Sequence, residues 1–325
     1  MIFINGISYY LPEKKLSNRE LNELFPDWSV EKIAAKTGIV ERHIAAEDEF
    51  SSGMAVKAAQ KLFKEYQISP DEIEFVLLCT QSPDYLLPTT ACIVQDLLGI
   101  PTTVGAMDYN LGCSGYIYGL STAKGLIQSG DVSNVLLLTS ETYSKHLAEN
   151  DKSVRTIFGD AASATLISRK RKGASIGKTS FGTDGKGAAN LILKRGGARN
   201  INCDLTGSNE GKLFMNGAEI FTFTLKVVPA IVEDTLKKNE LKLDNIDLFI
   251  FHQANKYMLE HLRMKMNIPE DKFYVHISHC GNTVSSTIPI ALKAAEQEGY
   301  LKPGMTVMLT GFGVGYSWGA SIIHY

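Results

Sequence analysis

The chain has 325 residues, more than the ~100–200 of a typical domain, so we expect two domains or one large two-part core. Its composition, 44% hydrophobic and 21% charged residues, is ordinary for a globular protein and excludes a disordered chain, collagen and a disulfide scaffold. The 33 basic residues nearly balance the 35 acidic ones, so no polybasic field indicates a nucleic acid or an anionic membrane as partner.

Short apolar runs predict buried strands, and amphipathic stretches between them predict helices. The strand runs are continuous rather than alternating, which is typical of strands covered by helices on both faces. In chain order we predict a helix over 54–66, a strand over 74–78, a helix over 116–128, a strand over 134–138, a helix over 221–238, a strand over 247–251, a helix over 288–298 and a strand over 306–309. This alternation predicts an α/β fold with mostly parallel core sheets between helices.

The two halves of the chain resemble each other. The segment DEIEFVLLCTQ, from Asp71, matches DNIDLFIFHQA, from Asp244, and the stretch 113–140 matches 282–310. A spacing of about 170 residues is too long for a solenoid repeat. We therefore predict a duplicated α/β unit about a pseudo-twofold axis, with an N-terminal half over 1–171 and a C-terminal half over 172–325.

Three polar residues take related places in this repeat. Cys113 and Asn282 stand at equivalent helix starts, while His252 ends a strand equivalent to the one that ends at Cys79. Corresponding elements of two halves converge near the axis that relates them. We therefore expect Cys113, His252 and Asn282 to meet at the interface between the halves.

Cys113 is a candidate nucleophile. It directly precedes a predicted helix, and the helix N-terminus favours a thiolate over a thiol. A buried structural cysteine is an equally weighted alternative on the residues alone, and it is the preferred interpretation for three others, Cys79, Cys92 and Cys203. The five cysteines are odd in number and show no CxxC pairing, which favours a reducing compartment over a disulfide or zinc framework.

His252 and Asn282 can each be interpreted in two ways, as a functional or as a structural residue. The end of a buried strand is where open α/β sheets place ligands, but a histidine there is often only a satisfied polar residue. Asn282 could cap a helix, or it could donate an N–H to an oxyanion. Together with Cys113 they fit either a papain-type hydrolase or a site in which both donate to a thioester carbonyl, and the spacing does not choose between these.

The ordered motifs resemble β-ketoacyl-acyl-carrier-protein synthase III, a condensing enzyme with a thiolase-like fold. The resemblance runs from end to end of the chain. It is carried by the segment around Cys113 and by further motifs at 36–39, 41–43, 157–160, 252–255, 281–283 and 311–319.

The resemblance implies a decarboxylative condensation that initiates fatty-acid synthesis. Cys113 would accept a short acyl group from acyl-CoA, and His252 and Asn282 would hold the thioester carbonyl of malonyl-acyl-carrier protein while carbon dioxide leaves. The backbone N–H groups of Cys113 and Val314 would form a second oxyanion hole. The family also implies a homodimer that needs no metal or other cofactor.

Substrate contacts follow from the same resemblance. Trp28 would stack on the adenine of CoA with Lys152, which stands at an arginine position, and Lys36 and Asn255 would lie at the same entrance. Leu87 would close the partner subunit's acyl pocket, and a leucine there could admit a longer or branched primer. The acidic carrier protein would meet a patch formed by Gln253, Lys256, Arg263 and Lys265. Three entrance positions lack the family's basic residues: Val40, Thr222 and Tyr257.

Other functions remain open at this stage. Hydroxymethylglutaryl-CoA synthases place a glutamate in the segment that here contains Gln81, and an amide cannot shuttle a proton as a carboxylate does. The main alternative is a specialised relative that transfers an acyl group or joins two chains in secondary metabolism. A catalytically silent acyl-binding subunit is a third possibility, against which the intact trio argues. The N-terminal stretch lacks a basic leader before an apolar run, and no run reaches the ~18 apolar residues that span a bilayer, so we expect a cytoplasmic protein.

Overall fold

The apolar runs of the sequence form strands of a nine-stranded sheet with helices on its faces. A computed structural model describes residues 1–170, 173–200 and 211–325. The strands in these ranges are β1 (Phe3–Tyr10), β2 (Lys15–Ser17), β3 (Glu41–His43), β4 (Phe75–Cys79), β5 (Gly105–Tyr109), β6 (Asn134–Glu141), β7 (Ala161–Ser168), β8 (Ala174–Thr183), β9 (Leu191–Ile192), β10 (Phe214–Met215), β11 (Leu248–Phe251), β12 (Thr306–Gly313) and β13 (Ser317–His324).

The helices include the four predicted ones, which differ from the prediction by at most four residues at each end, and others that were not predicted. They are α1 (Asn18–Leu24), α2 (Val30–Thr37), α3 (Ser51–Tyr66), α4 (Thr90–Leu97), α5 (Gly115–Ser129), α6 (Lys152–Arg155), α7 (Gly217–Lys238), α8 (Lys256–Lys265) and α9 (Thr287–Gln297). None of the helices in the described ranges is long and apolar enough to cross a membrane.

The order of the strands confirms the duplication. The large sheet runs β11-β12-β13-β8-β1-β7-β6-β4-β5. Read outward from the centre, β1-β7-β6-β4 in one half corresponds to β8-β13-β12-β11 in the other. The halves join where β1 pairs with β8 through only two residue pairs. The boundary predicted between residues 171 and 172 falls on residues outside the described ranges, as does Cys203, so both interpretations stay predictions.

Strand direction follows the connections between strands. Parallel pairing, which requires a crossover connection, is found for β4 with β5 and β6 and for β11 with β12. Antiparallel pairing links β6 to β7 to β1 in one half and β12 to β13 to β8 in the other. The sheet is therefore mixed, with the parallel pairs expected from helix–strand alternation in the outer part of each half.

The helix α5 packs closely because two of its residues have no side chain. A Cβ at Gly115 would lie 2.2 Å from Cys79 Sγ, and one at Gly119 would lie 2.2 Å from Tyr109 Oη. Helix α5 is thus drawn against the ends of β4 and β5. This contact fixes the position of the turn just before the helix, which carries Cys113.

Candidate active site

Cys113 lies in the turn between β5 and α5, against the end of β12. Its side chain is buried, with 7% of the residue exposed. A Cβ on Gly313 would lie 3.0 Å from Cys113 Sγ, and one on Gly311 would lie 2.7 Å from the Cys113 carbonyl oxygen. The two glycines of β12 therefore let that strand approach the cysteine from the other half of the molecule.

Burial determines the protonation state of Cys113. Loss of solvation raises the pKa of the thiol to about 12, and the nearby Glu141 carboxyl acts in the same direction. The sequence predicts a thiolate at the helix N-terminus, but burial acts in the opposite direction and favours the neutral thiol. Cys113 is therefore a neutral thiol at pH 7.

His252 follows β11 and is buried, with 2% of the residue exposed. Its backbone N–H donates to the Thr310 carbonyl at 2.8 Å, which continues the pairing of β11 with β12. The ring lies edge-on to Phe312, with centroids 5.5 Å apart, and Nδ1 lies 2.7 Å from Thr287 Oγ1. Burial lowers the pKa of His252 to about 3, because it disfavours the charged imidazolium. The imidazole is therefore neutral at pH 7.

Asn282 is held by its backbone and by its side-chain oxygen. Its N–H donates to the Ile157 carbonyl at 3.0 Å, and its carbonyl accepts the Gly159 N–H at 3.0 Å. The Oδ1 atom accepts the Val284 N–H at 2.9 Å, so the Nδ2 group must face the other way. Nδ2 lies 3.5 Å from His252 Nε2. The N-cap of α9 is Ser286, so the capping interpretation of Asn282 does not apply to this helix.

The three candidates meet at the end of β12. Phe312 contacts His252, its neighbour Gly313 lies against Cys113, and the Asn282 side chain lies beside the imidazole. Two nitrogen atoms, His252 Nε2 and Asn282 Nδ2, thus lie side by side in a buried site near a thiol. Two such nitrogens can donate to a single carbonyl oxygen.

The same geometry separates the two chemistries that the sequence left open. In a papain-type site the asparagine orients the histidine. Here Asn282 Oδ1 is occupied by a backbone N–H, and the side-chain partner of His252 at Nδ1 is Thr287. The arrangement favours two donors to a substrate carbonyl over a hydrolase triad.

A polar wall near Cys113 was not recognised in the sequence as a unit. The Tyr143 hydroxyl donates to Gln81 Oε1 at 2.6 Å, and Gln81 Nε2 donates to Asn110 Oδ1 at 3.2 Å. A Cβ on Gly112, next to the cysteine, would lie 2.5 Å from Gln81 Oε1 and 3.0 Å from Val314 Cγ1. Gln81 and Val314 therefore both lie where a side chain on Gly112 would project, beside the backbone that leads to Cys113.

Glu141 was also missed. It is fully buried at the end of β6, and Oε2 accepts the Gln81 N–H at 3.0 Å and the Ser82 hydroxyl at 3.1 Å. Oε1 accepts the Ser285 hydroxyl at 2.8 Å, which ties β6 to the loop between Asn282 and α9. Burial raises the pKa of Glu141 to about 8. Its only sequence signal is a carboxylate after an apolar strand.

The predicted CoA contacts lie together around Trp28. The ring is half-buried, with Lys36 Nζ 4.8 Å and Lys152 Nζ 5.5 Å from its centroid. Lys152 also forms an ion pair with Asp27. The Oδ1 atom of Asn255 accepts the Met258 N–H at 2.8 Å and caps α8, so this oxygen is already occupied. Trp28 and the two lysines thus form a cationic aromatic surface.

The predicted carrier-protein patch does not form one surface. Gln253 is wholly buried: Nε2 donates to the Phe251 carbonyl at 2.6 Å and Oε1 accepts the His276 N–H at 2.7 Å, so its assignment to a surface patch is wrong. Lys256 and Lys265 are exposed, but about two and a half turns of α8 separate them, which places them on opposite sides. Arg263 is bound to Glu260.

Two other residues lie at the surface. Leu87 is 82% exposed and forms an apolar group with Leu86 and Tyr85, which are 74% and 63% exposed.

Cys92 is exposed, so the prediction of a buried structural cysteine is wrong there. Cys79 is buried and donates to the Leu111 carbonyl at 2.8 Å.

Comparisons with known proteins agree with the geometry. Residues 107–185 match the family 3-oxoacyl-[acyl-carrier-protein (ACP)] synthase III, and residues 236–325 match its C-terminal part. The β-ketoacyl-[acyl-carrier-protein] synthase III of Fusobacterium nucleatum is 36% identical over 327 residues, with 100% of this chain and 98% of the relative covered.

Solved structures give the same result. A crystal structure of a 3-oxoacyl-(acyl-carrier-protein) synthase III has a TM-score of 0.96 at 50% identity, covering 100% of this chain and 99% of that one. The synthase from Aquifex aeolicus has a TM-score of 0.90 at 34% identity and covers both chains fully. The thiolase-like fold implied by the sequence motifs is thereby confirmed. The chain belongs to the β-ketoacyl-acyl-carrier-protein synthase III family of condensing acyltransferases.

Proposed function

We propose that the protein condenses a short acyl-CoA primer with malonyl-acyl-carrier protein to give a β-ketoacyl-acyl-carrier protein, the initiating step of fatty-acid synthesis. One observation carries the proposal: His252 Nε2 and Asn282 Nδ2 lie 3.5 Å apart, at the strand end that also contacts Cys113. A hydrolase triad does not need this pair of donors, whereas a decarboxylation that passes through an enolate does.

The first step is acyl transfer to Cys113. The sulfur attacks the thioester carbonyl of acyl-CoA, the bond to the CoA sulfur breaks, and the thiol proton of Cys113 ends on CoA. Because burial raises the pKa of this thiol to about 12, proton loss must accompany the attack. The backbone N–H groups of Cys113 and Val314 are proposed to bind the oxyanion of the tetrahedral intermediate.

The second step is carbon–carbon bond formation. The carboxylate of malonyl-acyl-carrier protein leaves as carbon dioxide, and its electron pair forms an enolate whose oxygen accepts from His252 and Asn282. The enolate carbon then attacks the acyl-Cys113 carbonyl, and the sulfur leaves as a thiolate that takes up one proton. All atoms of the β-ketoacyl product come from the two substrates.

A neutral His252 suits this step. A charged imidazolium beside the malonyl carboxylate would stabilise the substrate and oppose the release of carbon dioxide. Burial lowers the pKa of His252 to about 3, so the ring contributes an N–H without a full positive charge. The ring of Phe312, whose centroid lies 5.5 Å from that of the imidazole, adds an apolar surface beside it.

Substrate recognition is proposed at two surfaces. Trp28, Lys36 and Lys152 offer a ring and two cations for the nucleotide end of CoA, and Asn255, the N-cap of α8, is proposed to contact the same substrate. Lys152 provides a point charge and cannot stack on adenine as a planar guanidinium does. For the acidic carrier protein, the predicted patch offers two exposed lysines, Lys256 and Lys265, whereas Arg263 is paired with Glu260.

We further propose that the protein acts as a cytoplasmic homodimer. The exposed apolar group of Tyr85, Leu86 and Leu87 leads into α4, and the backbone N–H groups of Thr90 and Ala91 donate to Asp108 on the edge strand β5. Loop and edge strand therefore form one continuous surface that a second copy would cover. Leu87 would then reach the partner subunit's acyl pocket, where its size admits a primer longer than acetyl.

Intact-mass measurement after incubation with a panel of acyl-CoAs tests the first step. We expect one acyl adduct on the parent protein, none on Cys113→Ala, and an unchanged adduct on the control Cys92→Ala, which removes an exposed cysteine. An adduct that persists in Cys113→Ala, or no adduct with any donor, would disprove the nucleophile assignment.

Addition of malonyl-acyl-carrier protein to the acylated enzyme tests the second step. Carbon dioxide release together with a β-ketoacyl product supports condensation. Transfer of the acyl group without decarboxylation would instead identify a specialised acyltransferase of secondary metabolism.

A further inference from the structure

The hydroxyl of Thr287 is the side-chain partner of His252, and it lies on the side of the imidazole that faces away from Asn282. Thr287 is the first residue of α9, with 3% of the residue exposed. Its Oγ1 lies 2.7 Å from His252 Nδ1 and 3.1 Å from the Val284 carbonyl oxygen. A neutral imidazole carries a single N–H, so the contact at Nδ1 decides what Nε2 presents to the site.

Two proton arrangements are compatible with these contacts. If Thr287 donates to the Val284 carbonyl, His252 Nδ1–H donates to Thr287 and Nε2 is a bare acceptor. If Thr287 donates to Nδ1, the proton is on Nε2. In the second case the Nε2–H and the Asn282 Nδ2 amide are neighbouring donors, next to the strand end that contacts Cys113.

The distances favour the second arrangement. A separation of 2.7 Å is typical of an O–H donor, whereas N–H donors lie at about 2.9–3.0 Å from oxygen. The contact of Thr287 with Val284, at 3.1 Å, is longer than an ordinary O–H···O bond. On the other side, Asn282 Nδ2 lies 3.5 Å from His252 Nε2 and donates to the Ala254 carbonyl oxygen at 3.4 Å, so the amide N–H has an acceptor other than a bare Nε2.

We propose that Thr287 fixes His252 in the Nε2–H tautomer by donating its hydroxyl hydrogen to Nδ1. Thr287 is thus a positioning residue, which acts on the substrate only through the imidazole. Its consequence for catalysis rests on the proposed function, because only that tautomer gives a thioester enolate two donors. The tautomer itself does not depend on which substrate the enzyme uses.

The two residues before Thr287 are hydrogen-bonded to β6. The Ser285 hydroxyl donates to Glu141 Oε1 at 2.8 Å, and Ser286 Oγ lies 2.7 Å from Thr139 Oγ1. Both partners belong to β6 in the other half of the molecule. These bonds fix the start of α9, so the Thr287 hydroxyl is presented to the imidazole without depending on substrate.

Nitrogen-15 NMR of the histidine rings tests the proposal directly. In protein labelled with ¹⁵N-histidine, long-range proton–nitrogen correlation spectra distinguish a protonated ring nitrogen from a bare one. The His252→Gln variant assigns the His252 signals among those of the seven histidines. We expect the proton on Nε2 in the parent protein. A proton on Nδ1 there overturns the proposal, whether or not any variant folds.

Thr287→Val and Thr287→Ser supply the matched comparison. Valine replaces the hydroxyl by a methyl group, so we expect the imidazole proton to move to Nδ1. Nε2 is then bare and can accept from the Asn282 N–H. Serine keeps the hydroxyl and should retain the parent spectrum. A folded Thr287→Val with unchanged His252 signals contradicts the role of the hydroxyl.

Kinetics separate this inference from the proposed function. With Thr287→Val we expect acylation of Cys113 at the parent rate and malonyl decarboxylation slower by about a hundredfold, the usual cost of one oxyanion donor. Thr287→Ser should restore decarboxylation. If the parent shows the Nε2–H tautomer but does not decarboxylate malonyl-acyl-carrier protein, the proposed function fails while the assignment of Thr287 stands.

Discussion

At the scale of single residues, the two halves of the reaction are assigned to different side chains. We propose that Cys113 forms the covalent bond and that His252 and Asn282, whose side-chain nitrogens lie 3.5 Å apart, contact only the second substrate. This separation of roles distinguishes a condensing site from a triad, in which the histidine activates the nucleophile directly.

Substitution of either donor should therefore block only one step. We expect His252→Ala and Asn282→Ala to acylate Cys113 normally and to decarboxylate malonyl-acyl-carrier protein at least a hundredfold more slowly, because each removes one donor to the enolate. Intact mass measures the first step and carbon dioxide release the second. His279→Ala, at a side chain that is 72% exposed, is the matched control. Decarboxylation at the parent rate in either variant would contradict the enolate role.

Glu141 gives a residue-scale prediction about pH. Burial raises the pKa of this carboxyl from 4.5 to about 8 in the folded protein, so the folded state holds a proton that the unfolded chain has released. The resulting stabilisation is fully present below pH 4.5 and is lost as the pH rises through 8. The parent protein should lose about 5 kcal/mol of unfolding free energy between pH 4.5 and 8 through Glu141.

Urea unfolding of the parent and of Glu141→Gln at several pH values measures this contribution. The amide cannot ionise, and its oxygen can still accept from the Ser285 hydroxyl. We therefore expect the difference between the two proteins to change in favour of the variant as the pH rises. A difference independent of pH would mean that Glu141 is ionised in the folded protein throughout.

At the scale of elements, helix α5 has two glycines in opposite surroundings. A Cβ on Gly119 would meet Tyr109 Oη at 2.2 Å and a Leu137 methyl at 2.6 Å, whereas one on Gly125 would meet nothing within 4 Å. Substitution of glycine by alanine should thus change the stability of the protein in opposite directions at these two positions of the same helix.

We expect Gly119→Ala to destabilise the protein by about 1–3 kcal/mol through overpacking and Gly125→Ala to stabilise it by about 0.5–1 kcal/mol through helix propensity. Denaturant unfolding at constant pH measures both. Gly119→Ala should also slow the acylation of Cys113, because the helix start would move away from β4. Equal effects of the two substitutions would refute the close packing of α5 against the sheet.

At the scale of the whole molecule, the pseudo-twofold arrangement brings a nucleophile from one half to two donors from the other. The antiparallel strands β1 and β8 join the halves, and β12 reaches Cys113 with residues that lack side chains. The site therefore exists only when both halves are folded and docked.

The exposed apolar loop predicts association of two such molecules. We expect the parent to sediment with twice the mass of one chain. The double variant Leu86→Lys, Leu87→Lys should sediment with the mass of a single chain, because it places two charges in the interface. Leu24→Lys, at a leucine that is 54% exposed on α1, should leave the dimer intact. A monomeric parent, or a double variant that remains dimeric, would rule out this surface as the interface.

Much of the fold could be predicted because its signals are local or repeated. Continuous apolar runs identified the strands, three- and four-residue spacing identified α3, α5, α7 and α9, and the internal repeat identified the duplication. The trio could be selected because its members take equivalent places in that repeat. The mixed direction of the sheet could not be read in the same way, since strand partners are chosen by contacts between segments far apart in the chain.

The sequence by itself determined four helices, four strands, the two related halves and three candidate side chains for the site. Only the tertiary structure decided that burial favours the neutral thiol of Cys113, that Gln253 is buried, and that Thr287 contacts His252 while Glu141 contacts the loop after Asn282. The local sequence predicts where helices begin and which of their faces are apolar. The desolvation of the site's side chains and their hydrogen bonds depend instead on residues brought from the other half of the chain. The charge state and the orientation of each reactive group are properties of that packing.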